Sequence, residues 1–248
     1  MTHIFIQART GSTRLPSKIL LPFFDNKSIL EIIIQKLQTS FPLVPIIICT
    51  TDNTKDDEIA EFCKKRDINY FRGDEKNVLK RFIDAASHYD SQKIIRICAD
   101  NPFLDINFLN ELLKFHNDNP KADYWSFKNS NNIPVIKTHF GFFAEIVTVE
   151  ALSKVLSITS DSLYLEHVTN FIYESDLFEC NLKTIPSFLR NRNHLRFTID
   201  DIVDFEVLQE VYKYYSEVNY DIVKTILFAE QNPLIIKNMI ANINKYSK

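Results

Sequence analysis

The chain of 248 residues is poor in glycine, which occurs only at Gly11, Gly73 and Gly141. Glycine is the usual source of left-handed backbone in tight turns, so Asn, Asp and Ser must supply most of the turns here. The three glycines that remain are expected where a Cβ would not fit. Cysteine is sparse and dispersed: Cys49, Cys63, Cys98 and Cys180 form no C-x-x-C pair. A disulfide framework or a thiolate metal site is therefore not expected, and the four read as buried free thiols. Charge of one sign is not in excess, with 29 Lys and Arg against 32 Asp and Glu and a formal net charge of -3. Without a global basic field, nucleic acid is not an expected partner. No apolar run approaches the roughly 20 residues of a membrane-spanning helix. The opening Met1-Thr2-His3-Ile4-Phe5-Ile6-Gln7 has neither the basic stretch nor the apolar core of a signal peptide. These absences predict a cytoplasmic protein, independent of membranes, that recognises its ligand through local charge.

What the chain does have is apolar material, at 45% of residues, enough for one packed core across 1–248. Buried-strand patterns at 4–8, 45–50, 69–71, 93–99 and 124–127 alternate with helical patterns at 29–37, 56–65, 77–89 and 108–115. That rhythm predicts an α/β fold: a mostly parallel, Rossmann-like open sheet with helices on both faces. The rhythm changes near residue 128. Extended segments at 134–138, 142–147 and 178–184 and helices at 148–156 and 163–174 predict an excursion over about 129–190. A last strand at 194–199 and a terminal helix at 205–215 complete the pattern.

Ligands of such sheets bind beyond the carboxyl ends of the strands. Four polar loops fall there: Arg9 to Lys18, Thr51-Asp52, Arg72-Gly73-Asp74, and Asp100. The first is the most informative. Gln7-Ala8-Arg9-Thr10-Gly11-Ser12-Thr13-Arg14-Leu15-Pro16-Ser17-Lys18 sets three cations around a glycine directly after a strand. Backbone N–H groups near Gly11 and Ser12 can cradle phosphate oxygens while Arg9, Arg14 and Lys18 neutralise them. It lacks the G-x-x-x-x-G-K-[ST] of a Walker A loop, and the plainer alternative is a solvated basic loop. Taken alone, Asp100 reads equally as a turn aspartate, Asp200 as a helix cap, and Arg72-Gly73-Asp74 as an ordinary turn. Arg96, inside a strand, is expected to pair with an acidic neighbour.

The loop resembles the A-R-x-G-S-x-R-L-P-x-K signature of the cytidylyltransferases that make CMP-activated sugar acids, including the SpsF-type spore-coat polysaccharide proteins and the 3-deoxy-manno-octulosonate cytidylyltransferases. Four further segments follow that family's order. Arg72-Gly73-Asp74-Glu75-Lys76-Asn77-Val78-Leu79-Lys80-Arg81 is similar to R-G-x-x-x-D-V-L-x-R, and Arg96-Ile97-Cys98-Ala99-Asp100-Asn101-Pro102 to R-x-x-x-D-x-P. Glu166-His167-Val168-Thr169 matches E-H-V-T, and Thr198-Ile199-Asp200 a late T-x-D. There are departures: Ser17 stands where many relatives have glycine, a change that requires a negative φ there. Asn77 replaces an acidic residue, and Asp200-Asp201-Ile202-Val203-Asp204 departs from D-T-P-E-D.

The resemblance implies a nucleotide-diphospho-sugar transferase-like fold and transfer of CMP from CTP to a sugar acid, for surface polysaccharide biosynthesis. It implies Ala8, Arg9, Gly11, Ser12, Lys18, Arg72, Gly73 and Asp74 at the nucleotide, with Arg9, Arg14, Lys18 and Asp100 in catalysis. Asp100 and Asp200 would hold Mg²⁺, an oxygen-seeking cation suited to two carboxylates plus phosphates. Gly141, Glu145, Glu166 and His167 would frame the acceptor, in an excursion that often contributes to a homodimer; His167 is not read as a general base. A nucleotide-sugar-dependent glycosyltransferase and a non-catalytic nucleotide-binding protein of the same fold remain as alternatives. Against the first, the chain has no clear D-x-D motif.

Overall fold

The computed structural model describes residues 1–246. Its elements run β1 (Thr2–Gln7), β2 (Pro22–Phe24), β3 (Lys27–Ser28), α1 (Ile29–Ser40), β4 (Ile46–Thr51), α2 (Asp57–Lys65), β5 (Asn69–Gly73), α3 (Val78–His88), β6 (Lys93–Cys98), α4 (Ile106–Asp118) and β7 (Tyr124–Lys128). They continue with β8 (Glu145–Thr148), α5 (Val149–Ile158), α6 (Ser162–Glu166), α7 (Asn170–Glu174), β9 (Cys180–Thr184), α8 (Ile202–Glu217), α9 (Ile222–Gln231) and α10 (Pro233–Lys245).

The period-2 alternation of β1 determines the layers. Ile4 and Ile6 join a core shared with Ile46, Ile48, Ile95 and Ile97, covered by α1, α2, α4 and the C-terminal helices. Phe5 points the other way, toward Ile47, Cys49 and Ile94 beneath α3, α5 and α7. The seven-stranded sheet has the order β5-β4-β1-β6-β8-β7-β9. Strands β5, β4, β1 and β6 are parallel, which places their carboxyl ends along one edge. β8 runs antiparallel to β6 and β7, and β9 parallel to β7, so the excursion rejoins the main sheet. Helix α1 begins where the Ser28 hydroxyl accepts from the Glu31 amide, satisfying one of the free first-turn donors. It buries Ile29, Leu30, Ile32, Ile33, Ile34 and Leu37, each worth about 1.5–3 kcal/mol of apolar transfer.

Several expectations are corrected. Residues 134–138 form a 3-10 turn, Val135–Lys137, with a single bridge from Pro134 to Lys128; proline has no N–H for a ladder. The strand predicted at 142–147 is β8, which starts only at Glu145. Residues 194–199 form no strand: His194 lies in a turn and 195–199 run outside the sheet, bonded from Phe197 N to the His139 carbonyl (2.8 Å) and from Ile199 N to the Asp100 carbonyl (3.3 Å). The helix predicted at 163–174 is two short ones, interrupted at 167–169. The helix at 205–215 is the longer α8 and is not terminal, since α9 and α10 pack behind it.

Turn chemistry follows the glycine shortage: Ser17, Asp25, Asn26, Asp67, Asp90, Asn132, Asn191 and Asn219 all have positive φ. Of the glycines only Gly141 does. Among the described residues no helix is long and apolar enough to cross a membrane.

Candidate active site

The first loop is anchored from beneath. The carboxylate of Asp56, almost fully buried, accepts from the Thr10 amide (2.6 Å), the Thr10 hydroxyl (2.7 Å) and the Thr51 hydroxyl. Burial pushes the Asp56 carboxyl up, but the hydrogen bonds from Thr51 and Thr10 more than reverse this and leave it below the usual range. Ser12 N–H closes on the Thr10 carbonyl at 2.8 Å and Ser12 Oγ accepts from Leu15 N at 3.3 Å. Of the two amides read as a phosphate cradle, that of Ser12 is thus engaged inside the loop. Ser17 has a φ of 53°. The negative φ expected for its tolerance is absent, and the serine occupies left-handed backbone that costs an L-residue roughly 1–2 kcal/mol.

From this turn Lys18 points inward, nearly buried. Its Nζ donates to Asp100 Oδ2 at 3.1 Å and to the Ile199 carbonyl, and lies 4.0 Å from Asp200 Oδ1. Asp100 follows β6 and Asp200 follows the 195–199 segment, so three stretches far apart in sequence meet on one ammonium. Arg14 Nη2 donates to Asp200 Oδ1 at 2.7 Å, and Arg196 Nη2 to Asp200 Oδ2 at 2.6 Å. Burial raises the Asp200 carboxyl, but Lys18, Arg196 and Arg14 together hold it below its ordinary value. Two carboxylates converging on one positive charge form an oxygen donor set of the kind Mg²⁺ takes when phosphates complete its shell. Among the described residues no group of three or more His, Cys, Asp or Glu could hold a metal alone.

The Asp200 side is built by residues the sequence reading did not single out. Arg196, fully buried, also grips Asp204 through Nε and Nη2 at 2.8 Å each, and its Nη1 meets His139 Nδ1 at 2.7 Å. Asp204 Oδ2 accepts from the Asp200 amide at 2.8 Å. Asp201 caps α8 and binds Asn242, Lys245 and Tyr246 of the C-terminal helix. Tyr246 in turn lies 4.4 Å beneath the Arg14 guanidinium, within cation–π range. The end of α10 therefore supports Arg14. Arg196 sits within the segment read as a strand, and its alternation there carries no sign of an ion-pair hub.

The remaining predicted residues divide. Arg9, half-exposed, reaches Glu166 at 3.3 Å and joins the first loop to the excursion. Ala8 is buried as the chain leaves the sheet. A Cβ on Gly11 would meet nothing nearer than Glu75 Oε1 at 3.7 Å, so space does not demand glycine there. On Gly73 it would lie 3.0 Å from the Arg81 side chain, a tight fit. Arg72 is turned onto the neighbouring loop after β4, donating to the Thr51 and Asn53 carbonyls and pairing with Asp57 at 2.6 Å. The Asp74 carboxylate accepts from the amides of Lys76 and Asn77 at 2.8 Å each, bonds that hold it below its ordinary value. Asn77 caps α3 through the Lys80 amide, a role an amide oxygen fills as well as an acid.

In the excursion, Gly141 has a φ of 68°, and a Cβ there would lie 2.6 Å from the Phe197 carbonyl oxygen. It thus braces the segment leading to Asp200. Glu145 is buried within the sheet, paired with Arg96 at 2.5 Å and accepting from Tyr124 and Thr169. Arg96 does pair with an acid, as its place in a strand predicts. His167 ends α6 with its amide on the Leu163 carbonyl.

A mostly parallel open sheet with a cationic loop and two carboxylates at its carboxyl edge defines an α/β class whose ligands bind at that edge. The chain matches the cytidylyltransferase family over residues 3–239. It belongs to that family and is a nucleotidyltransferase. It is 38% identical to an uncharacterized protein of Methanocaldococcus jannaschii, MJ1063, over 98% of this chain and 95% of that one. It is 31% identical to the spore coat polysaccharide biosynthesis protein SpsF of Bacillus subtilis, over 84% and 85%. A cytidylyltransferase from Leptospira borgpetersenii superposes with a TM-score of 0.83 at 30% identity, over 96% and 97% of the two chains. The CMP:2-keto-3-deoxy-manno-octonic acid synthetase solved with CTP shares the fold, with a TM-score of 0.62 at 12% identity over 86% and 98%.

Proposed function

We propose that the protein is a Mg²⁺-dependent cytidylyltransferase that moves CMP from CTP to a sugar acid, releasing pyrophosphate, in surface polysaccharide biosynthesis. The observation that carries this reading is the meeting of Lys18, Asp100 and Asp200 on the carboxyl edge of the sheet, flanked by Arg14. Phosphoryl-type transfer depends on positioning and charge neutralisation more than on covalent help. The acceptor hydroxyl attacks the α-phosphate in line and pyrophosphate leaves. Arg9, Arg14 and Lys18 hold the triphosphate and neutralise the charge that develops. Asp100 and Asp200 would hold Mg²⁺, which would supply Lewis-acid polarisation of the phosphate. Family membership supports the cytidylyl group. The SpsF relative, named for polysaccharide biosynthesis, and the CTP-bound sugar-acid synthetase of like fold support the acceptor class.

The excursion over about 129–190 would frame the acceptor through Glu166 and His167 and contribute to a homodimer. Asp100→Ala is expected to abolish pyrophosphate release from CTP and a sugar acid while CTP binding stays measurable. Full activity in that variant would contradict the assignment of Asp100.

A further inference from the structure

Gln7 is the last residue of β1, between Cys49 of β4 and Cys98 of β6, immediately before the cationic loop. Strand alternation puts its side chain on the same face as Phe5, the face covered by α3, α5 and α7. Lys18 and Asp100 emerge beside Ala8, Ile19 and Ala99, which pack in the opposite core. The Gln7 amide is therefore on the face opposite Lys18, the face toward which Arg9 also reaches through Glu166 of the excursion.

Its orientation is determined by chemistry. Arg96 Nη2 lies 2.7 Å from Gln7 Oε1. A guanidinium only donates, so the amide oxygen must face it and the NH₂ must face away. Arg96 cannot easily turn. It is buried, and its Nη1 is paired at 2.5 Å with Glu145, directly opposite it in the β6–β8 register. Glu145 is held in turn by the Tyr124 hydroxyl at 2.5 Å and by Thr169 Oγ1 at 3.0 and 3.2 Å. Buried ion pairs are costly to desolvate and are held in place by such extra bonds. Gln7 Nε2 has no protein acceptor among the described residues, and Gln7 is only half-buried. A half-open, oriented NH₂ is a donor free to meet a lone pair, such as a carboxylate oxygen of a ligand on that side.

We infer that Gln7 binds the acceptor, its NH₂ donating to an oxygen of the sugar-acid carboxylate, and that Arg96, held by Glu145, is the positioning residue that aims it. The inference rests on the sugar-acid reading above. It gives the buried Thr169–Glu145–Arg96 chain a function: the excursion orients a substrate contact on the edge of the sheet without touching substrate itself.

Gln7→Glu is the decisive substitution, because one carboxylate oxygen still accepts from Arg96 while the other replaces the NH₂ with a negative charge. The probes are CTP with 3-deoxy-manno-octulosonate, its amino analogue and a nonulosonate, read as pyrophosphate release. For whichever acid the wild type uses, Gln7→Glu is expected to raise the acceptor KM at least tenfold, with the KM for CTP within about twofold and an unchanged Tm. Arg96→Lys is expected to raise the acceptor KM as well, and to add nothing further in a Gln7→Ala background. An unchanged acceptor KM in Gln7→Glu, or a rise confined to CTP, overturns the inference while leaving the sugar-acid reading intact. A wild type that uses none of the acids overturns the reading on which the inference rests.

Discussion

Arg14 donates to Asp200 at 2.7 Å across 186 positions of the chain. The basic loop after the first strand and the acidic turn before α8 are thus parts of one electrostatic unit, with Lys18 and Arg196 completing it. Removing Arg14 leaves Asp200 with Arg196 and the more distant Lys18. Arg14→Ala is expected to keep the fold, because the side chain is half-exposed, and to weaken CTP binding about 10- to 100-fold, the loss of one charge-assisted contact. Calorimetric titration with CTP checks it, and wild-type affinity would remove Arg14 from the triphosphate.

Gly141 is the one glycine whose absent Cβ the structure requires, with a positive φ and the Phe197 carbonyl 2.6 Å from where a Cβ would stand. Gly141→Ala must move the 195–199 segment or itself. A loss of at least ~2 kcal/mol is expected, together with reduced turnover because Asp200 follows that segment. Thermal unfolding and pyrophosphate release measure the two effects, and a variant normal in both would contradict the bracing role.

Ser17 gives the opposite result. Its left-handed backbone costs roughly 1–2 kcal/mol, and glycine returns about 0.5–1 kcal/mol of that as unfolded-chain entropy. Ser17→Gly is expected to raise the Tm by up to about 4 °C for a stabilisation near 1 kcal/mol, with activity retained. A lower Tm would show that the serine side chain contributes more than its backbone costs.

How much of this was legible in the sequence follows from range. Period-2 and helical patterns are local, so the parallel strands, their shared edge and the loops carrying Lys18 and Asp100 could be read residue by residue. Asp56 could not: it looks like a helix-start aspartate, and only folding puts it under Thr10. The Arg196–Asp204 grip joins the 195–199 segment to α8, and the Asn242, Lys245 and Tyr246 ties depend on α10, which the pattern did not reveal despite Pro233 at its start. The family resemblance puts Glu145 at the acceptor, yet its partners turn it into the sheet. The left-handed Ser17 reflects a turn closed by the bond from Ser17 N to the Thr10 carbonyl, a contact that sequence does not display.

Asp201 links stability to pH. Burial pushes its carboxyl up, but the Asp204 amide, Tyr246, Lys245 and Asn242 pull it well below its ordinary value. A carboxyl depressed in the folded state contributes stability that is present above its unfolded value and is lost as pH falls through the folded one. Asp201→Asn is therefore expected to cost about 1–3 kcal/mol near pH 7, with the difference from wild type shrinking once the pH drops below 4. A constant difference across that range would mean that the carboxylate charge is not what secures the C-terminal helix.

The most direct measurement is a pyrophosphate-release screen of ATP, GTP, CTP and UTP against a panel of sugar acids, with and without Mg²⁺. The expected result is release that requires CTP, one sugar acid and Mg²⁺ together, and that Asp100→Ala eliminates. No pyrophosphate with any pair, or release that Asp100→Ala leaves unchanged, would contradict the assignment of this edge as a site for CMP transfer.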